Sequence, residues 1–300
     1  MTGVAETVRP LRGRDEAGGT AVLQRWGIDS EYGVLRDVLL GSPEHFRWLG
    51  EENAQYSALV RETLRRGYRF DRELALRQHL EMLDAHQELA YSVYARDSNF
   101  MTPFGAVVTQ LANPRRRGEY ANVLRFYLEN EIPIYDLVSA GNFEGGDFNM
   151  IEPGAVIIGY TGLRGEEVSA RQVGGWMEAE GIEVLYAPID EYYVHIDLMV
   201  CMLAEKLCAV CLDTTDPDVV GWLEARKIEI VPVGFRETMA LGCNVVALGN
   251  DRVLSTTAAP ELNSKLRALG FTVFDPDMSQ FQLAGGGVHC MCQPLRRDPA

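Results

Sequence analysis

The sequence has no apolar run that approaches the roughly 20 residues a membrane-spanning helix needs. Basic residues are also in the minority, because 28 Lys and Arg stand against 43 Asp and Glu, for a formal net charge of −15 at pH 7. Nucleic-acid binding requires a basic face, so neither nucleic acid nor a membrane is the expected partner. The N-terminus is polar and lacks the apolar h-region of a secretory signal, which predicts a cytoplasmic protein.

Metal-binding cysteine patterns are incomplete. The chain has six cysteines: Cys201, Cys208, Cys211, Cys243, Cys290 and Cys292. Cys208 and Cys211 form a CxxC that is typical of a buried strand, and no second CxxC or HxxxH completes a zinc site. Disulfides are unusual in a cytosolic chain of this size, so free thiols are expected.

A repeated pattern runs through most of the chain. Four segments combine a stretch of helical apolar spacing with a charged or glycine break and a short strand, which opens on Ile132, Ile182, Ile228 or Phe271. They recur roughly every 45 to 50 residues, a period typical of a repeated supersecondary unit. The segments are EYANVLRFYLENEIPIYDL, SARQVGGWMEAEGIEVLYAPI, DPDVVGWLEARKIEIVPV and APELNSKLRALGFTVFDPD.

Further strands are predicted between these helices, at GAVVTQLA, GAVIIGY, KLCAVCLD and NVVALGNDRVLST. An earlier copy is expected to begin at GVLRDVLLGSP and to use the helix FDRELALRQHLEMLDAHQEL. About five strand–strand–helix–strand units are therefore expected in one α/β domain over residues 25–300, closed around a pseudo-symmetry axis. Residues 1–24 are expected to form a flexible tail.

Four segments at strand-to-loop positions carry chemically useful residues: ARDSNF, NFEGGDF, YVHIDLMV and GGGVHCMC. In the last of them, glycines let the backbone turn tightly before Cys290, whose thiol is either a nucleophile or a half-buried residue after a turn. Strand alternation would place Cys292 on the same side as Cys290, and His289 on the opposite side.

His195 and Asp197 are two residues apart in YVHIDLMV, so alternation along a strand would place both on one face. A lone histidine on an apolar strand is usually a core residue, but a histidine with an aspartate beside it is less easily explained in that way. A histidine that takes and returns a proton is the usual companion of a cysteine nucleophile.

The two remaining segments are ambiguous alone. Glu144 and Asp147 flank two glycines and are also compatible with a simple turn, and Arg96 and Asp97 are also compatible with a surface salt bridge. The ordered set of RD, EGGD, HxD and GGxxC is much more specific than any one member.

With this ordered set, the chain resembles the guanidino-group modifying enzymes, which comprise arginine deiminases, dimethylarginine dimethylaminohydrolases and amidinotransferases. The resemblance extends from WGIDSEYGVLRDVLLGSP to CMCQPLRR. It implies the pentein fold, a five-bladed pseudo-symmetric propeller of ββαβ units. It also implies a small cationic guanidino compound as the partner, with no metal or organic cofactor, and leaves a homo-oligomer open.

The resemblance also implies roles for individual residues. Cys290 would attack the guanidinium carbon, forming a covalent thiouronium, and His195 would protonate the leaving amine and then deprotonate water. Glu144 would assist this proton transfer. Asp97 and Asp197 would bind the guanidinium nitrogens through charge-assisted hydrogen bonds.

An α-amino-acid substrate also needs a group that binds its carboxylate. Arginines serve this purpose in the family, and the candidates here are Arg116, Arg117 and Arg164. A basic run such as NPRRRGEY is more often a solvated loop.

The choice of reaction depends on two residues. Glu144 in EGGD resembles the hydrolases, because amidinotransferases usually carry an aspartate there. Asp197 resembles the deiminases, and a methylated guanidinium would leave this buried carboxylate without a donor. We therefore expect hydrolysis of arginine or a close derivative to citrulline or an analogous ureido product and ammonia. The alternatives are amidino transfer from arginine to an amine, and dimethylarginine hydrolysis.

The remaining alternative is a propeller that only binds and has no catalytic activity, which would lack at least one catalytic residue. Here the nucleophile, the proton-transfer residue and the carboxylate that assists it are all present, as Cys290, His195 and Glu144. The irregular stretch FRWLGEENAQYS, residues 46–57, is a candidate lid.

Overall fold

The structure, a computed structural model, describes residues 25–41, 43, 58–84 and 93–300. The predicted N-terminal tail and the whole candidate lid, residues 46–57, lie outside the described residues. Among them, no helix is both long and apolar enough to cross a membrane. The strands are β1 Leu35–Leu40, β2 Asn99–Thr102, β3 Gly105–Val108, β4 Ile134–Leu137, β5 Phe148–Glu152, β6 Ala155–Tyr160, β7 Glu183–Pro188, β8 Val200–Ala204, β9 Leu207–Val210, β10 Glu229–Pro232, β11 Val246–Ala247, β12 Arg252–Leu254, β13 Thr272–Phe274 and β14 Cys292–Arg297.

Helices separate most of these strands. They are α1 Ala58–Arg65, α2 Arg72–Asp84, α3 Glu119–Glu129, α4 Glu167–Ala179, α5 Pro217–Ala225, α6 Phe235–Met239, α7 Pro260–Ala268, α8 Ser279–Leu283 and α9 Val288–Met291. Three short 3₁₀ turns, at Gly145–Asp147, Glu191–Tyr193 and Ile196–Leu198, complete the described elements.

Four three-stranded sheets share one topology, and each forms a unit with one helix. In every unit the first two strands form an antiparallel hairpin, and the third strand pairs in parallel with the second after a helical crossover. In chain order the four units are β2-β3-α3-β4, β5-β6-α4-β7, β8-β9-α5-β10 and β11-β12-α7-β13. The predicted α/β class and the repeated strand–strand–helix–strand plan agree with this arrangement.

The break that follows each crossover helix has a physical reason. The residue at the break adopts a positive φ in all four units, at Glu131, Gly181, Lys227 and Gly270. A left-handed residue after the last turn ends a helix and redirects the chain, and glycine adopts this conformation without strain. The charged or glycine breaks seen in the sequence are these helix ends.

A fifth, two-stranded sheet is formed by the two ends of the described chain. Strand β1, which lies where an early copy of the repeat was expected to begin, pairs with β14 in antiparallel orientation. The helix α2 instead packs against α8, where Gln78 Nε2 donates to Ser279 Oγ at 2.9 Å and Gln78 Oε1 accepts from the Gln280 N–H. The fifth group of elements is thus assembled from both ends of the sequence.

Candidate active site

Four of the predicted site residues lie shortly before a strand, each in a different sheet. Asp97 precedes β2, Glu144 precedes β5, His195 precedes β8 and Cys290 precedes β14. All four are buried, with 0–4% of their surface exposed. The repeated topology therefore brings residues that are distant in sequence to equivalent positions.

Cys290 lies on the four-residue helix α9, not on a strand as alternation suggested. Its Sγ is 3.5 Å from Asn244 Oδ1 and 3.7 Å from Asp197 Oδ2. Cys292 begins β14 and packs in a different apolar cluster, so the prediction that both cysteines lie on one side of a strand was wrong.

The glycines before Cys290 are required by close approaches. A Cβ on Gly286 would lie 2.3 Å from Tyr94 Cε1, and a Cβ on Gly287 would lie 2.5 Å from Asn244 Oδ1. Real Cβ atoms do not approach other atoms so closely, so a larger residue would displace the turn that presents the thiol.

The electrostatics around Cys290 favour the protonated thiol. Burial is the largest cause, and the carboxylates of Asp197 and Asp97 add to it, so the pKa of Cys290 is raised well above its ordinary value. A thiolate at this position therefore needs a neighbouring positive charge.

His195 directly precedes the 3₁₀ turn Ile196–Leu198, which contains Asp197, so the two residues do not share a strand face, and this corrects the alternation argument. Its Nε2 is 3.0 Å from Glu144 Oε2. Burial lowers the pKa of His195, but the carboxylates of Asp147 and Glu144 outweigh burial and raise this pKa to about 9. His195 is therefore a cation at neutral pH and can donate a proton.

Glu144 is held by two residues besides His195. Its Oε1 accepts from the Ala112 N–H at 3.2 Å, and Arg164 Nε lies 2.9 Å from both carboxylate oxygens. Burial alone would raise the pKa of Glu144, but Arg164 and His195 outweigh it and hold this pKa well below its usual value. Glu144 is thus a fixed carboxylate that orients the histidine.

Asp97 and Asp197 each leave one carboxylate oxygen unused. Asp97 Oδ2 accepts from Arg116 Nη1 at 2.6 Å, and Asp197 Oδ2 accepts from His289 Nδ1 at 2.7 Å. The Oδ1 atoms of both aspartates are buried and have no hydrogen-bond partner among the described residues. A buried carboxylate oxygen without a donor is costly, which makes these two atoms candidate acceptors for a ligand.

The structure decides two points about the neighbours of these aspartates. His289, which alternation placed away from the thiol, bonds to Asp197. Arg96 forms no surface pair with Asp97, because Arg96 is buried and its Nη1 donates to Glu31 Oε1 at 3.1 Å. Both residues form part of the buried support of the site.

The three candidate arginines differ in their partners. Arg116 pairs with Asp97 and Glu119. Arg164 pairs with Glu144 and lies 3.8 Å from Asp97. Arg117 is exposed and donates to the Leu111 carbonyl. Their role in binding a substrate carboxylate stays a prediction.

One group of described residues has its possible metal-ligand atoms close together, since those of Asp97, Glu144 and His195 all lie within 4.8 Å of one another. Arg164 pairs with Glu144, and His195 is protonated at neutral pH. A metal ion would have to displace the proton of His195 and the Arg164 ion pair of Glu144, so these contacts suit an organic cation that donates hydrogen bonds better.

Asn244 is the residue that the sequence argument missed. Its Oδ1 accepts from the His289 N–H at 3.0 Å and the Cys290 N–H at 3.3 Å, and its Nδ2 donates to the Asp197 carbonyl at 3.1 Å. A signal was available, because the segment CNVVALG has the same place in its repeat as the four quoted segments have in theirs.

Comparison with known proteins connects this geometry to a family. The family model of eukaryotic N,N-dimethylarginine dimethylhydrolases matches residues 75–297. An uncharacterized protein of Bacillus subtilis (strain 168), YkgA, is 25% identical over 290 residues, which cover 89% of this chain and 94% of that protein.

Two solved structures have a similar fold. The N-terminal domain of ArgZ, an arginine dihydrolase from the ornithine–ammonia cycle in cyanobacteria, is 20% identical with a TM-score of 0.72, covering 87% of this chain and 97% of that one. SxtG, an amidinotransferase of Microseira wollei from saxitoxin biosynthesis, is 14% identical with a TM-score of 0.69, covering 92% and 98%. At these identities the likeness shows the fold alone.

Proposed function

We propose that this chain, which belongs to the N,N-dimethylarginine dimethylhydrolase family of guanidino-group modifying enzymes, is a cysteine-dependent hydrolase of arginine or a close derivative. The observation that carries the proposal is the pair of unpartnered carboxylate oxygens on Asp97 and Asp197, both of which act electrostatically on the Cys290 thiol. A guanidinium offers N–H donors in a plane to such oxygens and brings its carbon to the sulfur.

Substrate binding also supplies the charge that the thiol lacks. A guanidinium between Asp97 and Asp197 neutralises the carboxylates that raise the pKa of Cys290. The thiol then loses its proton to solvent more readily, so the nucleophile forms when the substrate is bound.

The chemistry proceeds in two halves. The Cys290 thiolate forms a C–S bond with the guanidinium carbon, the C–N bond to a terminal nitrogen breaks, and His195 protonates that nitrogen, which leaves as ammonia. Water then loses a proton to His195 and attacks the thiouronium carbon. The C–S bond breaks, the thiolate returns, and the ureido product is released with its remaining proton passing to ammonia.

Glu144 orients His195 in both halves through the bond between its Oε2 and Nε2. Arg164 pairs with Glu144 and its Nη2 lies 3.8 Å from Asp97 Oδ2, beside the proposed guanidinium site. Together with Arg116 and Arg117 it is the candidate for binding the substrate's carboxylate.

The same proposal extends to the architecture. The four units and the β1–β14 sheet would be five blades of one pseudo-symmetric propeller, forming a single catalytic domain over residues 25–300. The candidate residues before each first strand would then converge on its axis.

Dimethylarginine hydrolysis is the second candidate, because the family that the chain matches is named for it. The free Oδ1 of Asp197 favours the unmethylated substrate, since methyl groups would replace the N–H donors it needs.

The experiment uses arginine labelled at the guanidino carbon, with and without a pool of amines, and follows the label by mass spectrometry. Label in citrulline without amines is the expected result. Label on an amine, with ornithine left behind, would instead establish amidino transfer. Turnover of dimethylarginine alone would establish the second candidate.

A matched pair of variants tests the nucleophile. Cys290→Ser should abolish turnover, whereas Cys292→Ser, two residues away in another apolar cluster, should retain it. Activity that survives in Cys290→Ser would exclude the proposed covalent route.

A further inference from the structure

Asn244 lies at the position of its unit that carries a functional side chain elsewhere. It precedes β11 by two residues, as Asp97 precedes β2 and Cys290 precedes β14. It is fully buried, although an asparagine in a core requires several hydrogen bonds. Because the equivalent positions converge on the site, the role of this amide has to be sought there.

The side-chain amide joins two separate loops of the site. Its oxygen accepts from the backbone N–H groups of His289 and Cys290 and lies 3.5 Å from Cys290 Sγ. Its nitrogen donates to the backbone carbonyl of Asp197. These partners fix the orientation of the amide, because the N–H groups need an acceptor and the carbonyl needs a donor.

The helix that presents Cys290 has no cap of its own. Gly287 is its N-cap residue and has no side chain, so Asn244, which is far away in sequence, supplies the oxygen that the first N–H groups of α9 require. Gly287 has to be glycine for this contact, since a Cβ there would lie 2.5 Å from Asn244 Oδ1.

We propose that Asn244 is a positioning residue that holds the Cys290 thiol for attack and fixes its place relative to Asp197. This role rests on the proposed function, in which Asp197 binds the substrate guanidinium. The side-chain amide of Asn244 would keep the Cys290 thiol at a constant position relative to the Asp197 carboxylate, which orients the substrate. Near-attack geometry is sensitive to shifts of about 1 Å, which lower rates by roughly 100-fold.

Two substitutions should change the acidity of the thiol in opposite directions. In Asn244→Ala the sulfur loses an acceptor, and the N–H groups of Cys290 and His289 are released to stabilise a thiolate. In Asn244→Asp a negative charge lies beside the sulfur and opposes ionisation. A residue that merely filled space would not produce opposite shifts.

The first measurement needs no substrate. Alkylation of Cys290 by iodoacetamide is followed against pH by peptide mass spectrometry in wild type, Asn244→Ala and Asn244→Asp. The midpoint should fall in the alanine variant and rise in the aspartate variant, each on the order of one pH unit. Asn263→Ala is the matched control, because Asn263 is also buried and also makes three side-chain hydrogen bonds, with Ser255, Thr256 and Asp275, none of which involves Cys290.

The second measurement separates catalysis from binding. In Asn244→Ala, kcat for arginine should fall about 100-fold. Arginine affinity, measured in the Cys290→Ser background with and without Asn244→Ala, should change less than about threefold, because the carboxylate side chains remain.

Each failure has a distinct meaning. If wild type turns over no guanidine, the proposed function fails, while the alkylation midpoints still test Asn244. Midpoints that match wild type, or a kcat within threefold of Asn263→Ala, would overturn the positioning role. If the alanine variant does not fold, the aspartate midpoint decides: a rise supports the role and no change refutes it.

Discussion

At the scale of single residues, the protonation state of His195 should determine how kcat changes at high pH. Asp147, Glu144 and Asp97 raise its pKa to about 9, so the imidazole is protonated below this pH and neutral above it. Since the proposed mechanism needs a proton for the leaving nitrogen, kcat should fall as the pH rises through about 9. A pH–rate profile from pH 6 to 10.5 with arginine measures this limb.

The neighbouring Asp147 provides a test of the cause. Its Oδ1 accepts from the Ile196 N–H at 3.1 Å, a bond that Asn can keep in Asp147→Asn while the negative charge is lost. The pKa of His195 should then decrease, and the alkaline limb should move to lower pH. If the alkaline limb of the pH–rate profile stays at the same pH, it reflects the titration of a group other than His195.

Much of the site chemistry could be predicted at this scale, but its geometry could not. The order of the four motifs selected Cys290, His195, Glu144, Asp97 and Asp197, and the structure gathers carboxylates around both the thiol and the histidine. Alternation failed because the polar residues lie in short helical turns just before the strands, where a period of two does not apply. Asn244 was missed because a neutral amide has no chemistry of its own and acts only through its contacts.

At the scale of elements, the turn that leads into α9 has no room for a larger residue at Gly287. In Gly287→Ala the new Cβ meets the oxygen of Asn244, and the turn must shift. We expect kcat to fall by at least tenfold, with the protein still folded, because the displaced group carries the nucleophile. Steady-state kinetics and a thermal melt of the same preparation check both parts.

Gly221→Ala is the matched control for this change. Gly221 is exposed in the middle of α5, and a Cβ there meets nothing within 4 Å. Alanine should stabilise this helix by about 0.5–1 kcal/mol and leave kcat unchanged. Equal kinetics in the two variants would show that the Gly287 turn does not control the thiol.

The elements themselves were largely predictable from local signals. Apolar spacing identified α3, α4, α5 and α7, and the breaks marked their ends because each needs a left-handed residue. Strand β1 was recognised as a strand, but its partner could not be. Its pairing with β14 requires the fold to bring strands near the two ends of the chain together, and no local sequence pattern encodes such a long-range contact.

At the scale of the molecule, the β1–β14 sheet joins the two ends of the described chain. Arg297 strengthens the junction, because its Nη1 donates to the carbonyls of Gly33 at 2.7 Å and Ala247 at 2.8 Å. The same sheet continues directly from α9, so the strand that closes the fold also anchors the nucleophile. Stability of the junction and integrity of the site should therefore be coupled.

Leu295→Ala tests this coupling. Leu295 lies in β14 and is 1% exposed, packed in an apolar cluster with residues that include Ile28, Leu39 and Met101. Loss of its side chain should lower the free energy of unfolding by about 2–5 kcal/mol in denaturant titrations. Leu269→Ala, at a position that is 57% exposed, is the control and should change it by less than about 0.5 kcal/mol.

The coupling also predicts the order in which the parts of the Leu295→Ala variant unfold, in addition to its loss of stability. If closure of the chain and the site form one cooperative unit, the reactivity of Cys290 towards iodoacetamide should rise at the same denaturant concentration at which the circular dichroism signal is lost. Exposure of Cys290 well before the main transition would instead mean that the β1–β14 junction opens locally. The site would then depend on the weakest part of the fold, and stabilising β14 would be the way to stabilise the activity.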